Sequence, residues 1–575
     1  MPKYAPSWQR AHAIEQVTDH KSGTFISYIF LRPKKDGSMR PIISLKELNK
    51  FVKYHHFKME TLKCALTLLR PNSFLASIDL KDAYFTIPMA GEHRKFLSFM
   101  WQGNLWQFTC LCFVLTSAPR IFTKVMKPIT AKLRNMGHVS TMYIDDSLLV
   151  GDSREDCLTN VQATCNLLTE LGFVINDKKS CKTPTQKLEY LGFEIDTEEM
   201  SVRLPSRKIH SVTARCTHLM QQQNPTIQLV SQVIGKLVSC FPAVPLGPLH
   251  YRTLEMAKDE ALKISQGNFQ AHMTLPPQAL CDLEWWTENL SSSFRAIESR
   301  ESEVEIQPDA SSLGWGASCP TCHLRTSGRW HMHESNMHIN CLELLAIFFA
   351  VQSFVHYIHG KVVTVKTDNT TAAAYLNHMG GCKSRELNQI SKRLWTWCLE
   401  HDIWPVACHI PGTSNGDADF LSRSFNDHLE WKLNPQIFQS VQSHFRVTPT
   451  IDMFASRLNY QIKPFVSWHP DPEAKSHDAF SIQWKGYPSY CFPPFALINR
   501  VLRKIEAEQV TVMLVFPHWT MQTWYPRLLR LLTARPVLLP WADDLLYLPH
   551  RPGERHPLAG RLTLCAALLS GNPLA

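Results

Sequence analysis

Two adjacent aspartates, Asp145 and Asp146, stand between apolar runs, with Met142-Tyr143-Ile144 before them and Leu148-Leu149-Val150 after. Runs of this kind form strands inside a sheet, and a buried strand does not carry two neighbouring charges in its middle. The pair is therefore expected at the turn of a hairpin spanning Thr141 to Gly151, where Asp is accommodated by turn geometry. A third carboxylate, Asp79, ends the run Phe74-Leu75-Ala76-Ser77-Ile78. Carboxylates at strand ends and turns can converge on one rim of a sheet, and like charges that close are tolerated when cations neutralise them. Asp79, Asp145 and Asp146 are thus candidate ligands of a divalent metal. Taken alone, an Asp-Asp pair reads as an ordinary polar turn, so its surroundings must decide.

The chain has 575 residues, enough for several domains of roughly 100 to 200 residues each. Hydrophobic residues make up 44% and charged residues 19%, which supplies several cores and excludes a mainly disordered chain. The formal charge of +10 suits a polyanionic partner. The 17 cysteines are scattered, several inside apolar runs such as Leu111-Cys112-Phe113, as in reduced proteins of the cytoplasm or nucleus. Residues 1 to 16 mix charged and polar residues without the apolar core of a signal peptide, and no apolar stretch has the length of a membrane span. No membrane partner is expected.

Six separated motifs occur in one order: Arg32 to Arg40, Leu48-Asn49-Lys50, Asp79 to Phe85, Ser117-Ala118-Pro119, Tyr143-Ile144-Asp145-Asp146 and Leu191-Gly192-Phe193. Together, over residues 24 to 200, they resemble a retroelement reverse transcriptase. The resemblance implies that Asp79, Asp145 and Asp146 hold two magnesium ions, with manganese an acceptable substitute, for transfer of a nucleotide to a primer hydroxyl. It also implies that Lys34, Lys35 and Arg40 form a basic hairpin that holds the triphosphate, and that Tyr84 excludes a 2′-hydroxyl. Lys179 is implied to protonate the leaving pyrophosphate, and Leu191-Gly192 to be the turn that grips the primer. Phe113 lies in the nucleotide-binding stretch Cys112-Phe113-Val114-Leu115, where Val114 replaces the family's glycine.

A second set of acidic residues follows: Asp309 on a strand, Glu343 in the apolar helix Cys341-Leu342-Glu343-Leu344-Leu345, Asp368 at a strand end and Asp419 before Phe420-Leu421-Ser422-Arg423. A charge in an apolar helix is unfavourable unless it meets a partner or a metal. With His409-Ile410-Pro411-Gly412, this pattern resembles RNase H. By that resemblance Asp309, Glu343, Asp368 and Asp419 bind two magnesium ions that activate water against the RNA strand of an RNA–DNA hybrid, and His409 assists near the scissile phosphate. Asp417 is the alternative to Asp419. Cys319 and Cys322 form a CxxC, but no second ligand pair has suitable spacing, so structural zinc is not expected.

The expected fold class is α/β and α+β multidomain: a right-hand polymerase of fingers, palm and thumb, an RNase H-like mixed α/β domain, and a C-terminal α/β methyltransferase-like region. The boundaries are 1–200 for fingers and palm, 201–299 for thumb and connection, 300–425 for the RNase H-like domain and 426–575 for the last region, with a loosely ordered Pro-rich end from Leu538. The motif Arg325 to Trp330 and the segment after Arg423 resemble DIRS-type retrotransposons. Thr450 to Ser456 and Phe492-Pro493-Pro494-Phe495 are similar to phage-type adenine methyltransferases, except that Phe492 stands where those enzymes carry Asp or Asn. S-adenosylmethionine chemistry is therefore not expected, although Asp452 is a residue that could face a cofactor. The implied partners are RNA template, DNA primer, RNA–DNA hybrid and deoxynucleoside triphosphates; the oligomeric state is not set by the sequence. The competing reading is a decayed or repurposed nucleic-acid-binding protein, favoured by Val114 and by the short segment before residue 24.

Overall fold

The computed structural model describes residues 8, 12–18, 22–33, 39–297, 301–426 and 430–572. It divides into two compact units, Met1–Gly247 with His272–Ser299, and Pro248–Ala271 with Arg300–Ala575. The sequence-based boundary at 299/300 is thus crossed by one excursion. The helix Arg252–Ile264 joins the second unit, where Glu255 accepts from the Cys382 thiol at 2.8 Å.

In the first unit, β1 (Ile29–Pro33) and β2 (Met39–Ile43) form the expected antiparallel hairpin. The palm sheet is built on β3 (Phe74–Lys81). This strand pairs antiparallel with β5 (Asp146–Gly151), which pairs in turn with β4 (Val139–Tyr143). Helices α1 (Ala118–Asn135) and α2 (Arg154–Glu170) cover one face. Strand residues point alternately to the two faces. Ala76, Ile78 and Leu80 of β3 accordingly enter a core with Phe122, Met126, Val161 and Leu168, while Asp79 turns the other way. Strands β6 (Lys187–Tyr190) and β7 (Phe193–Asp196) follow. Leu191 and Gly192, at φ 48° and 77°, turn the chain between them. Two consecutive left-handed residues are what a tight hairpin requires. Helices Ser206–Met220, Ile227–Val238 and Pro277–Asn289 follow, with Trp286 fully buried among them.

The second unit contains two sheets. The first has β8 (Val304–Ala310), β9 (Gly314–Cys319), β10 (Leu324–Arg329), β11 (Val362–Thr367) and β12 (Trp404–His409) in the order β10-β9-β8-β11-β12. The hairpin strands β8, β9 and β10 are antiparallel, while β8, β11 and β12 run parallel. The short helix α3 (Met332–Ser335), the apolar α4 (Ile339–Ser353) and α5 (Gly416–Arg423) pack around it.

The second sheet orders β13 (Ile451–Asp452), β14 (Ser489–Cys491), β15 (Thr511–Pro517), β17 (Leu564–Ser570) and β16 (Val537–Leu538). The first three strands are parallel, β17 is antiparallel, and α6 (Ile498–Glu508) buries Val501, Leu502 and Ile505 in the core beside them. The Pro-rich end is therefore not loose over its described residues, 538–572. Its prolines Pro549, Pro552 and Pro557 lie in turns, whereas the proline-free run Leu564–Ser570 pairs with β15 from Thr511↔Ser570 to Pro517↔Leu564. No helix among the described residues is long and apolar enough to cross a membrane.

Candidate active sites

The palm centre is built by register. Asp79 of β3 lies directly opposite Asp146 of β5, and the Leu80 N–H donates to the Asp145 carbonyl at 3.0 Å, which locks the hairpin turn onto the strand end. Ile144, just before the pair, has φ 57°. A β-branched residue in the left-handed region is strained, and here it gives the turn that carries the carboxylates. Asp79 is held on both oxygens: Asn176 donates to Oδ1 at 2.8 Å and Lys179 to Oδ2 at 3.3 Å, while the Asp79 N–H donates to Ser180 Oγ at 3.0 Å. Asn176 and Ser180 went unnoticed in the sequence. Only Lys179 marked the segment that fixes Asp79. Burial, then the neighbouring charges of Asp145 and Asp79, push the Asp146 carboxyl up to about 6, with Lys179 opposing.

Tyr84 packs on Phe122 at 5.0 Å, and its phenol is pushed up to about 12 by burial and then by the Asp145 charge. Lys179 is mostly exposed. Leu191 and Gly192 form the β6–β7 turn. Phe113 and Val114 lie in a turn that Asn49 braces, donating to the Val114 carbonyl at 3.0 Å and accepting from Thr116 N–H at 2.9 Å. Val114 does not take a positive φ, so the backbone here does not demand glycine. Lys34 and Lys35 lie outside the described residues, and so does the Arg40 side chain, although the Arg40 backbone pairs with Arg32.

The second centre brings Asp309, Glu343 and Asp368 together, each offering a carboxylate oxygen within 4.8 Å of the others. Strand β8 supplies Asp309, α4 supplies Glu343, and Asp368 follows β11. Glu343 is 7% exposed. Burial, then Asp309 and Asp368, push it up to about 8, against a hydrogen bond from the Ala310 N–H. Asp309 rises to about 6, chiefly through burial, although Ser422 Oγ donates to its Oδ2 at 2.7 Å. Ser422, read in the sequence only as context for Asp419, is thus a direct partner of the site.

Asp419 stands apart from the three-carboxylate group. Arg423 engages it at 2.7 Å, yet its charge still reaches Asp309. Asp417, the alternative, is mostly exposed and pairs with Arg325 at 2.7 Å. His409 ends β12 opposite Thr367, exposed and one step from Asp368. A methyl group on Gly412 would come within 3.0 Å of Asp368 Oδ2, so glycine lets this loop approach the carboxylate. Cys319 is buried and outside the acidic group.

Both centres are built on carboxylate oxygens, and Lys179 at the first and Arg423 beside the second offset only part of their negative charge. That donor set fits magnesium or manganese and does not fit the nitrogen and sulfur preference of zinc.

Comparison with known proteins agrees with this division. Residues 32–195 match the family described as reverse transcriptase (RNA-dependent DNA polymerase), and residues 299–400 match the RNase H-like domain found in reverse transcriptase. The enzymatic polyprotein of Figwort mosaic virus (strain DxS) is 23% identical over 416 residues, 68% of this chain and 57% of that protein. That of Cauliflower mosaic virus (strain Strasbourg) is 25% identical over 422 residues, 68% of this chain and 56% of that protein. The chain therefore spans a little over half the length of these relatives. Among solved structures, the foamy viral protease-reverse transcriptase in complex with RNA/DNA hybrid aligns with TM-score 0.46 at 16% identity, over 71% of this chain and 53% of that one. The chain carries a reverse transcriptase (RNA-dependent DNA polymerase) domain followed by an RNase H-like domain of the kind found in reverse transcriptases.

Proposed function

We propose that the protein copies RNA and DNA templates into DNA from deoxynucleoside triphosphates and cleaves the RNA of the resulting hybrid. The observation that carries this reading is the pair of acidic centres on separate sheets: Asp79 opposite Asp146 beside Asp145, and Asp309, Glu343 and Asp368 within 4.8 Å. Magnesium, when bound, neutralises attacking and leaving oxygens in each reaction. The protein's own part is positional. Asn176 and Ser180 hold Asp79, the Ile144 turn presents Asp145, and Ser422 holds Asp309. Tyr84, wedged on Phe122, closes the space beside the sugar, so Tyr84→Val should raise ribonucleotide incorporation. Asp145→Asn is expected to abolish magnesium-dependent primer extension while template binding persists; extension at the parental rate would refute the assignment. Free thiols throughout, most pushed to less reactive values by burial, support work in the cytoplasm or nucleus.

The finer assignment to DIRS-type elements is supported by the succession of polymerase, RNase H-like domain and a third, mixed sheet. A tyrosine recombinase reading frame beside the coding sequence would agree with it, and an integrase frame there would contradict it.

A cavity of about 650 Å³ favours a ligand-binding, methyltransferase-like reading of the C-terminal region. It opens beyond the carboxyl ends of β13 and β14, where parallel sheets place their ligands. Phe454, Trp468, Phe480, Phe492 and Phe495 line it together with Asp471 and Asp478, and no lysine or arginine is among its described lining residues. Phosphate is disfavoured there, whereas an uncharged or cationic aromatic compound fits. Asp452 does not line this cavity: it is buried, accepting from the Gln461 and Phe454 N–H groups at 3.0 and 3.3 Å. Phe492 offers no acceptor for a target amino group. Labelled S-adenosylmethionine and DNA should therefore give no methyl transfer, and robust labelling of adenine would contradict this.

A further inference from the structure

The outer strand of the nuclease sheet, β10, is not left open. The C-terminal region covers it, with Thr326 Oγ1 donating to the Pro470 carbonyl. At the centre of the contact is Arg457, which follows β13 and is 2% exposed. Its Nη2 donates to Glu334 Oε1 at 2.6 Å and its Nη1 to the Arg329 carbonyl at 3.3 Å. The other oxygen of Glu334, Oε2, accepts from the His331 N–H at 2.8 Å. Trp330 is therefore bracketed, with the backbone on both sides fixed by the buried Arg457–Glu334 pair, which Glu473 flanks at 3.8 Å from Arg457 Nε. The Arg457 guanidinium also lies 4.4 Å from the ring of Phe349, on the same helix as Glu343, and Phe349 packs against Trp315 and Trp330.

From Trp330 the contacts run to the carboxylates. Its Nε1 donates to the Ser311 carbonyl at 2.8 Å, Ser311 Oγ donates to the Ser422 carbonyl at 2.6 Å, and Ser422 Oγ donates to Asp309 Oδ2 at 2.7 Å. We propose that Arg457 is a positioning residue for the nuclease centre, so that the RNase H-like domain is complete only with the C-terminal region docked on it. Arg457 touches no reacting group. It fixes both the connection that carries Trp330 and the helix that carries Glu343, and through them the spacing of two metal-binding carboxylates.

The test uses the full chain with Asp79 and Asp145 both changed to Asn, so that only the nuclease centre reports on metal, and follows Mn2+ binding by electron paramagnetic resonance. Arg457→Met should raise the Mn2+ concentration for half-saturation by about tenfold to a hundredfold, the range for partners that orient metal ligands. Arg457→Lys, which keeps the charge and loses the planar fork, should fall between. Amide exchange at Ser311 and Trp330 should quicken in parallel.

Removing one member of a buried pair can unfold a domain, so the double variant Arg457→Met, Glu334→Met is included because an apolar pair is tolerated where a lone charge is not. Folded double variant with weakened Mn2+ binding supports the proposal; parental Mn2+ binding in that variant or in folded Arg457→Met overturns it. The proposal rests on the nuclease reading, and a parent chain without saturable Mn2+ binding would contradict both.

Discussion

Glu343 was marked by the sequence as a charge in an apolar helix, and its burial among Asp309 and Asp368 has a measurable consequence. Its carboxyl is raised to about 8 from an ordinary 4.5. Between those values the metal-free native chain keeps a proton that the unfolded chain releases, so stability without metal falls as pH rises from about 4.5 to about 8. Asp309, raised to about 6, adds to the lower part of that window. Magnesium should therefore stabilise the second unit more at pH 8 than at pH 5. Glu343→Gln should raise metal-free stability at pH 8 by on the order of 1–3 kcal/mol, abolish hybrid cleavage and remove most of the magnesium response. Thermal denaturation with and without magnesium at the two pH values checks this; an unchanged pH dependence in Glu343→Gln would contradict it. The residues missed in the sequence, Asn176 and Ser422, are neutral and common on surfaces. Nothing in their type announces that each ends on a carboxylate of an acidic centre far away in sequence.

At the scale of elements, the strands and helices that carry the carboxylates were legible because apolar runs and alternation report directly on burial. One reading failed for a local reason. The end of the chain is rich in proline, but Pro549, Pro552 and Pro557 lie in turns and leave Leu564–Ser570 free to pair. Close approach of elements is equally hard to read from one sequence. A methyl group on Gly316 of β9 would lie 2.5 Å from Leu421 Cβ and 2.6 Å from the Ser422 nitrogen. Helix α5 can thus approach β9 only over a glycine. Gly316→Ala should push α5 away, loosen the Ser422 bond to Asp309 and destabilise the second unit by about 1–3 kcal/mol. Hybrid cleavage should fall while primer extension continues. Calorimetric unfolding and paired activity assays decide it, and parental cleavage would show that α5 does not set the carboxylates.

Over the whole molecule, the four expected segments fall into two compact units: 1–200 and 201–299 share the first, apart from Pro248–Ala271, and 300–425 and 426–575 share the second. Sequence motifs cannot report that excursion, because long-range packing decides which unit a helix joins. Nor could they report the burial of Arg457 against Glu334, since each looks like an ordinary surface residue until the C-terminal sheet is folded onto β10. Each unit carries its own acidic centre, so the two proposed activities should separate by mutation. The most direct measurement is primer extension on an end-labelled RNA template with magnesium, recording DNA synthesis and RNA fragmentation in the same reaction for the parent chain, Asp145→Asn and Asp309→Asn. The account predicts extension with fragmentation for the parent, no extension but cleavage of preformed hybrid for Asp145→Asn, and full extension over intact RNA for Asp309→Asn. Extension by Asp145→Asn, or fragmentation by Asp309→Asn, at the parental rate would contradict it.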